Sequence, residues 1–234
     1  MKRLFSLLSW DFKLQFKYGF YFVVIPLCGL YIFILQQFSR KIINYTAPFI
    51  VFSDPALLGM IFIGAMLYFE RTQGTLQAFV VSPVRLWEYF FSKLFTFAIM
   101  GLISGFIIIF STYGFKFNYL FFILGMLLCS AFFTLVGIIL ITRIPGITEF
   151  FLAVIPVLIV LCIPIIGSLG IVKIHIWYLF PSYAFIMLIR AGFIKVSTPN
   201  LIYALTYSIV SIVVVYILAR KEFTKNIIEK KGAM

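Results

Sequence analysis

Apolar runs alternate with short polar segments along the whole chain, at about residues 19–38, 49–69, 94–113, 119–142, 150–171 and 200–219. Each run approaches the ~20 residues a helix needs to cross a hydrocarbon core of roughly 30 Å. The pattern predicts an all-α integral membrane protein, one transmembrane domain over residues 1–234, with six transmembrane helices. Before the first run, Lys2, Ser6, Ser9, Lys13 and Lys17 share one stripe at helical period, beside an apolar face of Phe5, Leu8, Phe12 and Phe16. Residues 1–18 therefore read as an amphipathic helix lying in the membrane interface, its lysines towards anionic headgroups or a partner. Asp11, Lys13 and Lys17 interrupt the apolar run well before it reaches a usable length, and no small-residue cleavage site follows, which argues against a secretory signal.

Pro26 is expected to kink the first span. Residues 39–48 read as a polar loop holding Arg40, Lys41 and the triplet Asn44-Tyr45-Thr46, a glycosylation sequon informative only in a secretory pathway. Asp54-Pro55 stands near the start of the second span, where a carboxylate is costly unless wet or paired. That favours a helix-start residue in the headgroup zone over a residue lining the outer end of a pathway. Beyond the fifth span, which carries Pro156, Pro164, Gly167 and Gly170, residues 172–196 mix Lys173, His175, Trp177, Tyr178, Pro181, Ser182, Tyr183 and Arg190 with apolar positions. This segment is too mixed to span and too apolar to be a free loop. His175 reads as interfacial. Arg220 to Met234 form a basic tail after the sixth span.

The polar stretch Glu70-Arg71-Thr72-Gln73-Gly74-Thr75-Leu76-Gln77-Ala78-Phe79-Val80-Val81-Ser82-Pro83-Val84-Arg85 separates the second and third spans. Gly74 interrupts the incoming helix, and Thr72 or Thr75 is suited to cap a new one. Ser82-Pro83 stops it, because the residue before proline is pushed out of the α region. Leu76, Phe79 and Val80 at i, i+3 and i+4 share a face, which predicts a short amphipathic helix over residues 72–82. Taken without the flanking spans, the same residues also fit an ordinary loop. The lead-in to the third span holds Trp87, Tyr89, Phe90 and Phe91, aromatics suited to an interface.

The pattern Glu70…Gly74-Thr75-Leu76…Ser82-Pro83, followed by aromatics and Lys93, resembles the ABC-2 type permeases of ATP-binding cassette exporters. It departs from many of them in having Gln77 for a Glu and Val80-Val81 for Leu-Leu. The resemblance implies that residues 72–82 are a coupling helix docking on an ATPase subunit. Glu70, Arg71, Gly74, Thr75, Leu76, Phe79, Val80, Ser82, Pro83 and Arg85 would then form the ATPase-coupling site. Glu70 and Arg71 would fix the helix to the second span, Leu76, Phe79 and Val80 would supply its apolar contact, and Pro83 and Arg85 would define its exit. The resemblance also implies the N-terminal interface helix, re-entrant helices between spans five and six, two ATPase subunits carrying ATP and Mg, and a second permease, identical or homologous. Lacking a large extracellular domain, the chain is similar to small exporters of drugs, peptides or lipids, including permeases of the fluoroquinolone-export type.

Composition sharpens this picture. The 234 residues are 64% hydrophobic and 11% charged with a mean hydropathy of +1.15, against about a quarter charged in a soluble domain. The net charge of +12 sits on the flanks of the apolar runs, a distribution that suits headgroups of membrane lipids and not nucleic acid. With both termini inside, thirteen of the 19 Lys and Arg fall on inner segments. That count favours cytoplasmic N and C termini in a prokaryotic cell membrane. Cys28, Cys129 and Cys162 lie alone in apolar runs and read as core residues. No phosphate-cradling glycine loop, catalytic triad or histidine metal motif appears, so the chain reads as a non-enzyme with no cofactor of its own. Its acidic residues avoid mid-span rows, which argues against a carboxylate proton relay. A non-transporting scaffold or lipid-modifying protein is the alternative.

Overall fold

A computed structural model describes residues 2–38, 40–80, 82, 84–115, 117–168 and 175–229. The described residues form helices joined by short turns, without a strand among them. They are α1 Lys2–Lys17, α2 Phe20–Gln36, α3 Arg40–Leu57, α4 Ile63–Thr72, α5 Thr75–Val80, α6 Leu86–Thr112, α7 Tyr119–Arg143, α8 Ile147–Cys162, α9 Pro164–Ser168, α10 Pro181–Ala191 and α11 Thr198–Phe223. A π turn, Leu58–Phe62, joins α3 to α4, and another, Thr224–Glu229, extends α11. Among the described residues, five rods are long and apolar enough to cross a membrane: Thr46–Thr72, Leu86–Thr112, Tyr119–Arg143, Ile147–Gly167 and Thr198–Glu229. A sixth crossing is reached only if α1 and α2, bent by 65° at the break between them, count together.

The core forms around α7, which packs against α3, α6, α10 and α11. Small residues let these helices approach. A Cβ on Gly137 would lie 2.7 Å from the Met60 carbonyl oxygen, and one on Gly125 would lie 2.9 Å from the Ile189 backbone nitrogen. Close backbone approach of this kind replaces the hydrophobic drive that lipid cannot supply. By contrast, Phe22, Ile25, Phe33, Leu152, Ile155, Ile159, Ile209, Val213 and Ile217 are exposed, a lipid-facing girdle on α2, α8 and α11.

Several expectations from the sequence need correction. Residues 40–48 are helical and not a loop, because Ile43, Ala47, Val51 and Asp54 form one buried stripe that holds α3 against the bundle. Asn44 itself has no described side chain. Asp54 is not a helix-start residue: it lies inside α3, fully buried, with the Ser104 hydroxyl of α6 donating to its carboxylate. The basic tail is helical to Glu229, since Ala219, Phe223 and Ile227 continue the buried face of α11. The interface helix α1 packs on the bundle through Asp11, Leu14 and Gln15, while Phe5 and Phe16 of the predicted apolar face are exposed. Residues 172–174 lie outside the described residues. The rest of the semi-polar segment is a 3-10 turn, His175–Leu179, followed by α10, whose Ala184 to Ile189 are all buried.

Candidate functional site

The candidate site is built where α4 ends. Gln73 donates its N–H to the Phe69 carbonyl, and Gly74 takes a left-handed φ of 74° as the residue after the cap. Only glycine enters that region without a steric cost. Thr75 Oγ1 then donates to the Glu70 carbonyl at 3.1 Å, closing the turn, and α5 begins. At its far end Ser82 Oγ donates to the Phe79 carbonyl at 2.7 Å and accepts from the Val84 N–H at 3.4 Å. The Arg85 N–H donates to Glu88 Oε2 at 2.9 Å, starting α6 with a capping interaction. Pro83 and Val81 lie outside the described residues, as does the side chain of Val80.

Leu76 and Phe79 do not point away from the chain. Leu76 is only 2% exposed, and Phe79 stacks near Tyr89 at 4.4 Å and reaches Phe223 of α11 at 6.5 Å. Leu76 and Phe79 of α5 therefore pack towards the bundle, Phe79 against rings of α6 and α11. Among the described side chains of residues 70–85, those of Thr72, Gln73, Ala78 and Arg85 are exposed. The resemblance assigns Leu76, Phe79 and Val80 the apolar contact with an ATPase; within this chain Leu76 is buried and Phe79 half-buried.

Beneath this turn lies a buried charge cluster. Lys93 of α6 reaches Asp11 of α1 at 2.6 Å and pairs with Glu70 of α4, its side chain 1% exposed. Ser92 Oγ donates to the second oxygen of Asp11 at 2.5 Å, and Tyr89 Oη donates to the second oxygen of Glu70 at 2.5 Å. All four carboxylate oxygens thus have donors, each from α6 positions 89, 92 and 93, which share one helical face. A buried charge is tolerated only when paired and hydrogen-bonded in this way. Asp11 is the member that the sequence did not single out. Its signal was a carboxylate interrupting the apolar side of an otherwise cationic helix.

Arg71 turns the other way. Its guanidinium donates to the carbonyls of Ile141 at 2.8 Å and Ile144 at 3.1 Å, at the C-terminal end of α7. The unsatisfied carbonyls there carry partial negative charge that a guanidinium complements. Tyr18, in the bend between α1 and α2, donates to Gln73 Oε1 at 3.0 Å. Burial first, and then the Glu70 charge, raise the Tyr18 phenol, which keeps it a donor. Arg143 at the end of α7 pairs with Glu222 of α11 at 2.6 Å. The turn at Gly74 is thus tied to α1, α6, α7 and α11 at once. Chemically the cluster holds and does not react: its ionised groups are consumed by one another.

The profile of the fluoroquinolones export permease protein family matches residues 2–231, and the chain belongs to that family. The chain is 26% identical over 237 residues to the fluoroquinolones export permease proteins of Mycobacterium tuberculosis strains CDC 1551 and H37Rv, with the whole of both chains covered. It is a multi-pass membrane permease.

Proposed function

We propose that this export-type permease is the membrane subunit of an ATP-binding cassette exporter. Two separate ATPase subunits carry ATP and Mg, and a second permease, identical or homologous, completes the pathway. Both termini lie on the cytoplasmic side of a prokaryotic cell membrane, in keeping with the excess of Lys and Arg on that side. The substrate is a hydrophobic or amphiphilic molecule, and the names of the mycobacterial relatives favour a drug of the fluoroquinolone type.

The observation that carries this reading is the anchoring of the Gly74 turn. A push on the exposed face of α5 reaches α6 and α11 through Leu76 and Phe79, α1 through Glu70 and Lys93, and α7 through Arg71. ATP-driven closure of the ATPases would rock these helices as a body between inward-open and outward-open states. Force transmission needs stiff links, and buried ion pairs and helix-end clamps are stiff.

Co-purification with the ATPase encoded beside this permease tests the reading. Ala78→Arg alters the open face of α5 without touching its packing, so it should release the ATPase and abolish substrate-stimulated ATP hydrolysis in nanodiscs. The permease itself should still migrate as a folded species on gel filtration. If Ala78→Arg binds the ATPase as well as wild type, or wild type binds none, the coupling role of residues 72–82 fails and the scaffold alternative takes its place.

A further inference from the structure

Towards the Gly74 end of α11, packing fixes which side of the helix stays open. Ala219, Phe223 and Ile227, at i, i+4 and i+8, hold the helix and its π turn to the bundle, Phe223 against the rings of Tyr89 at 5.6 Å and Phe90 at 5.3 Å. With that face buried, Val210, Val213, Val214 and Ile217 are left exposed. They form a stripe at i, i+3, i+4 and i+7 on a rod apolar enough to cross a membrane. The stripe runs on into a groove of about 520 Å³ lined by Ile217, Arg220, Lys221, Thr224, Lys225 and Glu229. Arg220 and Lys221 follow Ile217 at i+3 and i+4, so they flank its line on the helix surface.

Three cations share this groove with one carboxylate, that of Glu229. The other carboxylate of this segment, Glu222, is taken: Arg143 donates to one oxygen at 2.6 Å and Asn226 to the other at 3.0 Å, with Lys225 adding to the positive field there. Two surfaces thus meet along one face of α11, an apolar stripe within a crossing rod and then a cationic groove where the rod ends. A bilayer presents the same order, hydrocarbon and then phosphate. Basic residues at span ends are general in this chain; what the packing adds is the continuity of stripe and groove. A soluble protein cannot reach the stripe, and a second copy meeting this face about a two-fold axis would set the three cations against the same three.

We propose that this face of α11 is a binding site for an anionic phospholipid. Arg220 and Lys221 hold the phosphate, Lys225 adds charge beside it, and an acyl chain lies along Val210, Val213, Val214 and Ile217. Such a site requires only that α11 crosses a bilayer, so it stands or falls independently of an ATPase partner and of what is exported.

The test uses the full-length permease purified in detergent. Mass spectrometry measures the phosphatidylglycerol retained through purification, and its binding is then titrated against phosphatidylcholine of the same acyl chains. Arg220→Gln/Lys221→Gln is compared with Lys13→Gln/Lys195→Gln, which removes the same charge from two other exposed lysines. Wild type should retain phosphatidylglycerol and prefer it to phosphatidylcholine. The 220/221 glutamine pair should lower that preference about tenfold, and the 13/195 pair should leave it near the wild-type value. Arg220→Lys/Lys221→Arg should bind as wild type does, which separates headgroup recognition from misfolding. Lys225→Gln alone should give a smaller fall in the same direction, and it keeps the test available should the glutamine pair not fold. Equal losses in the two glutamine pairs would reduce the effect to net charge and overturn the site, as would an unchanged preference in the 220/221 pair and in Lys225→Gln. Loss of a co-purifying protein from the 220/221 pair, with lipid binding unchanged, would make the groove a protein contact and overturn it equally.

Discussion

The two ends of this bundle treat charge in opposite ways. At the Gly74 end, Lys93, Asp11 and Glu70 are buried and satisfy one another, and Arg71 is spent on the carbonyls of α7. At the other end Arg190 and Lys195 line a cavity together with Tyr178 and Tyr183. A charge that is internally paired serves as a fastening. The difference teaches that similar residue types are buried as a fastening at one end and line a surface cavity at the other.

The contrast can be broken most directly at Lys93. Lys93→Ala leaves two buried carboxylates unpaired and should cost about 3–5 kcal/mol, seen as a large fall in the thermal unfolding midpoint in detergent. The triple replacement Asp11→Asn/Glu70→Gln/Lys93→Met should recover most of that loss. If Lys93→Ala unfolds like wild type, the cluster is not the fastening described here. Next in size, Arg71→Gln removes charged hydrogen bonds to Ile141 and Ile144 and should cost about 1.5–3 kcal/mol. Hydrogen exchange should then rise selectively at the end of α7. Gly74→Ala places a Cβ at a positive φ with open space around it, a strain of roughly 1–2 kcal/mol. Its expected signature is a modest midpoint shift with weakened ATPase coupling. Smallest, Lys195→Gln should change stability by no more than about 0.5 kcal/mol, as for an ordinary surface site. A fall at Lys195 as deep as at Lys93 would erase the distinction between the two ends.

Much of the fold was legible in the order of residues. The apolar runs foretold the rods because a bilayer demands length and apolarity from each crossing helix, and both are local properties. Gly74 and Ser82 announced the turn and the end of α5, because such backbone preferences act within a few residues. The Thr72 and Thr75 hydroxyls, expected to cap α5, instead donate back to the Phe69 and Glu70 carbonyls of α4. Lys93 was visible as part of the motif, but its partner Asp11 lies 82 positions away in sequence. Only the folding of α1 onto α6 brought the two together. The same holds for Asp54, which reads as a helix-start residue until α6 delivers Ser104 to it. The inward turn of Leu76 and Phe79 was equally hidden, since periodicity tells which residues share a face but not what that face meets.

The sequence by itself therefore determined the membrane class, the approximate rods and the position of the polar turn, all of which follow from short-range hydrophobicity and backbone preference. Tertiary structure decided the rest: which charges are paired, which face of α5 is left open, and that residues 178 and 200 share one cavity. Pairing, burial and concavity depend on distances between residues remote in the chain, and those distances exist only once the helices have packed.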